Sequence, residues 1–227
     1  MKDQVAAIAA RIRTAAIAIN RSPESVQLVA VSKTIPADRV RQAIQAGVNV
    51  LGENYIQEAR EKIDALGDCA VSWHFIGHLQ TNKAKFAVRL FDLIHSVDSI
   101  KLARELNRQA AKHDKIQRVL IQVNTGKEAS KSGVYENDAL ALVREAGQLE
   151  HIAIEGLMTM PPYFNAPEKV RPYFRSLRQL RDRIHDENLP GVSMQELSMG
   201  MTGDFEAAIQ EGATLVRIGT ALFGERR

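Results

Sequence analysis

Short apolar runs alternate with amphipathic stretches along almost the whole chain. Val5, Ile8, Ile12, Ala16 and Ile19 recur at helical spacing and predict an opening helix that stops near Asn20, Ser22 and Pro23. From there strand-like and helix-like segments take turns. Apolar, partly β-branched runs predict strands at 27–31, 48–51, 71–76, 93–97, 118–123, 151–157, 194–198 and 214–218. Between them, helical patterns are predicted over 37–46, up to about 66, over 83–89, up to 113, up to 148, over 168–187 and over 205–210. Gly47 stands where a helix C′ glycine belongs, and Asp98 or Ser99 where an N-cap does. No helix is predicted after the eighth strand.

Strand–helix alternation implies parallel strands joined by right-handed crossovers. Eight such strands in 227 residues point to an α/β fold, one closed (β/α)8 TIM barrel spanning residues 1–227 as a single domain. The opening helix precedes the first strand and is expected to fill the gap left after the last. An open, doubly wound sheet is the alternative.

Composition narrows the function classes. With 45% hydrophobic and 25% charged residues the chain has the make-up of a globular protein, and no apolar run approaches membrane-spanning length. Its net charge of +3 arises from 30 basic and 27 acidic residues interspersed along helices, and only 5% of residues are aromatic. That argues against a nucleic-acid footprint. Cys69 is the single cysteine, which excludes an internal disulfide and suits a reducing compartment. Met1 opens a charged amphipathic segment without an apolar signal core, so a cytoplasmic location is expected.

The chemistry concentrates at strand ends. Val29-Ala30-Val31-Ser32-Lys33-Thr34-Ile35-Pro36 sets one ammonium directly after a core-like strand. Lys33 either marks the wet end of that strand or offers an amine whose neutral form attacks an aldehyde. After the seventh strand, Ser198-Met199-Gly200-Met201-Thr202-Gly203-Asp204 supplies glycines and hydroxyls ahead of a helix, and after the eighth come Gly219 and Thr220. In such barrels these two loops commonly hold phosphate. Arg217 interrupts an apolar strand, so its guanidinium is either paired inside the barrel mouth or aimed at a ligand. A strand-end lysine, a phosphate cradle and an inward cation are the parts that pyridoxal 5′-phosphate (PLP) requires. His74 and His78 lie four apart in a strand-to-turn segment with no third ligand nearby, so no metal is expected.

Seven pieces, running nearly end to end, carry a resemblance: V-A-V-S-K-T at 29–34, G-E-N-Y-I-Q-E at 52–58, W-H-F-I-G-H-L-Q-T-N-K at 73–83, H-S-V-D-S at 95–99, G-L-M-T-M at 156–160, L-S-M-G-M-T-G-D-F at 197–205 and V-R-I-G-T-A-L-F-G at 216–224. On these the chain resembles the pyridoxal phosphate homeostasis protein family, itself related to the barrel domain of fold-type III PLP enzymes such as alanine racemase. Thr202 stands where many members have serine, and it keeps the hydroxyl.

The resemblance implies that Lys33 forms the Schiff base and that Arg217 faces the pyridine nitrogen. It implies further that Ser198, Gly200, Gly219 and Thr220, with the loop at Thr202 and Gly203, cradle the phosphate, and that Asn54 faces the cofactor or caps a helix. His78 and Asn82 line the mouth or belong to a capped turn; Met158 packs on the ring or in the core. Lys131 either makes a second PLP contact or belongs to a mobile solvated loop with Lys127. With no C-terminal β-domain after the last strand, the implied protein is a monomeric carrier that buffers or delivers PLP, touching PLP-requiring apo-enzymes transiently, with no catalytic residue assigned. Alternatives are a low-activity PLP-dependent racemase or transaminase, a PLP-responsive regulatory protein, and a class I aldolase acting on a sugar phosphate.

Overall fold

The computed structural model describes residues 1–67, 69–162, 164 and 166–225. Helix α1 (Lys2–Ile17) buries Ile8, Ile12, Ala15 and Ala16, the stripe its spacing predicted. The alternating part follows: β1 (Gln27–Val31), α2 (Ala37–Gln45), β2 (Val50–Glu53), α3 (Ile56–Leu66), β3 (Ser72–Phe75), α4 (Ala84–Leu90), β4 (Leu93–Val97) and α5 (Ile100–Ala111). It continues with β5 (Gln117–Val123), α6 (Glu136–Ala146), β6 (Ile152–Thr159), α7 (Arg171–His185), β7 (Val192–Ser198), α8 (Phe205–Gln210), β8 (Leu215–Ile218) and a one-turn α9 (Thr220–Phe223).

The strands close into a barrel in sequence order, and every pair is parallel. Closure sets Gln27 of β1 opposite Leu215 of β8 and Ala30 opposite Ile218. Period-two alternation sorts the side chains. Val29, Val50, Leu93, Leu120, Met158 and Leu215 form one apolar cluster inside the barrel, while their neighbours Ala30, Leu51, Ile94, Ile121, Leu157 and Val216 join the larger core under the helices. Phe75, Phe91, Phe174 and Phe205 are fully buried in that outer core, each contributing about 1.5–3 kcal/mol of burial free energy. Helix α1 packs on α8 and α9, covering the seam between the last helices and the first as expected.

Of the boundaries that differ from the sequence reading, three have a clear local cause. Strand β2 begins at Val50 rather than 48, because the Val48 amide bonds back to Ala43 O and closes the turn after α2. Strand β6 runs on to Thr159, whose hydroxyl donates to Val123 O across the ladder. Strand β8 is followed by α9, whose Leu222 and Phe223 are buried, so the apolar end of the chain folds as a helical turn. The caps hold: Ser99 accepts from the Leu102 amide at 3.4 Å, and Gly47 follows α2 with φ +104°.

Candidate functional site at the C-terminal mouth of the barrel

Lys33 lies two residues past β1, half-buried in a turn. The residues on either side of it are tied down. Ser32, fully buried, donates from Oγ to Glu53 Oε1 at 2.6 Å, and its carbonyl accepts from Lys62 Nζ. The Thr34 amide donates to Glu58 Oε1, and Lys62 Nζ bonds Glu53 at 2.7 Å and Glu58 at 2.6 Å. Burial raises the Glu53 carboxyl above its ordinary range, against the pull of Lys62 and Ser32.

Next to β1 in the closed barrel, β8 sets Arg217 opposite Val29. Its guanidinium is buried, donating to Ser198 Oγ at 2.6 Å and to Thr159 O at 2.8 Å, and its pKa falls to about 10 through desolvation. Among the described residues no carboxylate lies within ion-pair distance of it. Arginine can only donate, so Ser198 Oγ accepts from Arg217; it also bonds His95 Nδ1 at 2.8 Å, and His95 Nε2 bonds His74 Nδ1 at 3.0 Å. Both histidines are neutral. Desolvation, with Arg118 second, lowers His74 to about 4; desolvation, then His74 and Arg217, hold His95 well below its usual value. These inward groups sit two residues beyond Leu93 and Leu215 on their strands, so a polar layer lies between the apolar barrel interior and the mouth.

The loops after β7 and β8 meet at this end. The Arg217 amide donates to Gly200 O at 3.0 Å, and the Thr220 hydroxyl to Thr202 Oγ1 at 3.2 Å. Gly200 has φ +90°, and a Cβ there would lie 2.6 Å from Ala208 Cβ, so only glycine lets the loop fold against α8. Gly219 leads into α9, and the Met201 amide is held by Asp204 Oδ1 at 2.6 Å. Asn54, after β2, is half-buried and its Oδ1 is buried without a partner. It does not cap α3, whose N-cap is Tyr55; the backbone of Gly77 crosses it too closely for any side chain there.

The structure thus brings Ser198, Gly200, Thr202, Arg217, Gly219 and Thr220 together beside the Lys33 turn. In the structure the Ser198 hydroxyl bonds Arg217 and His95 inside the barrel. Met158 is core, and His78 bonds Ser132 at 3.0 Å, away from the His74 pair. No group of three metal-ligating side chains occurs among the described residues. Lys131 pairs with Glu128 at 2.8 Å and donates to Pro161 O. Its loop is pinned rather than merely solvated, with Asn124 Nδ2 donating to Glu128 O at 2.8 Å and Gln122 to Ser132 O at 2.9 Å. A cavity of about 680 Å³ opens beside the β2 and β3 loops between α3 and α4, reached by Asn54, Tyr55, His78 and Phe86.

Sequence reasoning missed His95, Thr159, Glu53, Glu58 and Lys62, and weighed His74 only as a metal ligand. For His95 a signal existed: it is a polar residue at an inward position of the strand L-I-H-S-V.

The architecture and these side chains define a single-barrel protein of the fold-type III class, with a strand-end lysine beside two glycine- and hydroxyl-bearing loops. The model of the alanine racemase N-terminal domain matches residues 4–227, and the chain belongs to that family and, within it, to the pyridoxal phosphate homeostasis proteins. The protein of that name from Aquifex aeolicus is 45% identical over 225 residues, covering 99% of this chain and 98% of its own. Its Pseudomonas aeruginosa counterpart is 46% identical over 224 residues, covering 99% and 95%. PipY of Synechococcus elongatus, solved with PLP bound, superposes with a TM-score of 0.83 at 38% identity over 96% of this chain and 100% of that one. Alanine racemase of Clostridium difficile shares the fold, with a TM-score of 0.73 at 16% identity, and this chain covers 55% of its length. No helix among the described residues is long and apolar enough to cross a membrane.

Proposed function

We propose that this protein binds PLP through Lys33 and serves as a cytoplasmic reservoir that buffers the cofactor or passes it to apo-enzymes, acting as a monomer. One observation carries the reading: β1 pairs with β8, so the Lys33 turn and the Gly219–Thr220 loop leave neighbouring strands at the same end of the barrel. Relatives named for PLP homeostasis and a structural neighbour solved with PLP support it. When bound, PLP would supply an aldehyde that Lys33 Nζ would hold by reversible condensation with loss of water. The residues present suit that group. The unpartnered Asn54 Oδ1 seeks a donor such as a ring hydroxyl, and the hydroxyls of Thr202 and Thr220 with the backbone at Gly200, Gly203 and Gly219 suit a phosphate. Ser198 stands behind them and holds Arg217.

Arg217 also favours storage over catalysis. A guanidinium with a pKa near 10 stays charged at neutral pH and gives no proton to a pyridine nitrogen, which leaves the ring a weak electron sink. Racemase or transaminase turnover should therefore be absent or slow. The reading is tested by adding PLP to the purified protein, recording the absorption band, reducing with borohydride and locating the modified lysine by peptide mass spectrometry. Fixation on Lys33 is expected. Label spread over surface lysines with Lys33 untouched would refute the assignment.

A further inference from the structure

The two residues flanking Lys33 are held by one buried charge cluster that no step of cofactor binding uses directly. Ser32 is bound twice, through its hydroxyl by Glu53 and through its carbonyl by Lys62, while the Thr34 amide is bound by Glu58. Thr34 sits at φ +62°, a left-handed conformation that is strained for a β-branched residue and persists only where its surroundings enforce it. The enforcing groups are deep. Side-chain exposure is 0% for Glu53, 7% for Lys62 and 23% for Glu58, and two carboxylates share the single ammonium of Lys62. Burying three charges is a poor way to stabilise a barrel, since desolvation offsets most of the attraction. It is an effective way to fix a turn, because Glu53, Lys62 and Glu58 each bond a residue adjoining Lys33 as well as one another through Lys62.

We propose that Glu58 and Lys62 of α3, with Glu53 of β2, are positioning residues that set the direction of the Lys33 side chain and so the rate and extent of its condensation with an aldehyde. The inference rests on Lys33 as the PLP-bonding amine and adds that α3 controls its reactivity without touching the cofactor. When the clamp is cut, the turn relaxes toward ordinary backbone angles and the amine swings away from the aldehyde, while the loops after β7 and β8, on the other side of β1, keep their grip on the phosphate.

Two ligands separate these effects. PLP reports phosphate binding and bond formation together; pyridoxine 5′-phosphate carries a hydroxymethyl group in place of the aldehyde and reports everything except the bond. Glu58→Ala removes the acceptor of the Thr34 amide from a partly exposed position. Lys62→Met alone would strand a buried carboxylate, so it is paired with Glu53→Gln, which keeps an acceptor for Ser32. For both variants PLP affinity and the rate of appearance of the absorption band should fall at least about tenfold, as misplacement of a reacting group commonly costs. Affinity for pyridoxine 5′-phosphate should stay within about twofold of wild type, as for independent sites. Loss of both ligands in parallel would mean that the cluster is merely structural, and retention of both that it positions nothing; either outcome overturns the proposal. Lys33→Ala is the separate control: if it binds PLP as tightly as wild type, the Schiff-base reading itself fails, whatever the clamp variants do.

Discussion

Arg217 shows how much one side chain can be asked to do in the wrong solvent. The residue is 4% exposed, and among the described residues its guanidinium bonds two neutral oxygens, Ser198 Oγ and Thr159 O. Asp204 acts on this charge through space without bonding it, so the cation stays costly to bury, and replacing a buried charge by an apolar residue of similar volume often leaves stability unchanged or improved. Arg217→Met should accordingly keep the free energy of unfolding within about 1 kcal/mol of wild type or raise it, the gain being offset by the unpaired Ser198 and Thr159 oxygens. If the charge is retained for a ligand, PLP affinity should fall about tenfold or more in the same variant, the worth of a charged hydrogen bond. Denaturant unfolding and a PLP titration on one preparation test both halves. A variant that is much less stable yet binds normally would show that the arginine serves the fold.

At the scale of elements, the β7–α8 loop is built around one backbone angle. Gly200→Ala would force a side chain into φ +90° and to within 2.6 Å of Ala208 Cβ and 3.0 Å of Phe205 Cα. Strain and overpacking together should cost about 3 kcal/mol, a fall in midpoint on the order of 10 °C for a chain of this size. Gly203→Ala in the same loop meets nothing within 4 Å and should be nearly neutral, so thermal unfolding of the pair tells geometry from composition. Elements of this kind were legible in the sequence: β1, β4 and α8 run over the residues their patterns predicted, because apolar periodicity and turn chemistry agree there. Lys33 and Arg217 could be singled out because a charge beside or within an apolar strand is conspicuous. The clamp of Glu53, Glu58 and Lys62 was not legible. Charged residues on a helix following a strand look like solvent-facing ones, and only the packing of α3 on the barrel turns Lys62 inward. Nor could Ser198 be seen to face into the barrel, since a strand's last residue has its inward or outward sense fixed by register alone.

For the molecule as a whole, the polar layer inside the barrel makes stability depend on pH with a definite sign. His74 and His95 are neutral in the folded state and reachable by protons only at a cost, whereas in the unfolded chain each titrates near its ordinary value of 6.5. As pH falls below about 6.5 the unfolded state therefore binds protons that the folded state refuses, and stability declines until the folded pKa is reached, about 4 for His74. That difference corresponds to about 3 kcal/mol for His74, and His95 adds a loss in the same direction. Glu53 and Asp204 oppose it: burial raises both carboxyls, so each binds a proton more readily in the folded state just above its ordinary range. The histidines begin to act at higher pH, so the net slope between pH 6.5 and 5 should be a loss of stability on acidification. Urea unfolding at pH 7 and pH 5 measures it. His74→Gln, whose side-chain amide can still bond His95, removes one titrating group from the layer and should flatten the slope while costing little at pH 7. An unchanged slope in that variant would mean that protons reach His74 in the folded barrel, and the layer beneath the mouth would then have to be open to water rather than sealed by Arg217 and Ser198.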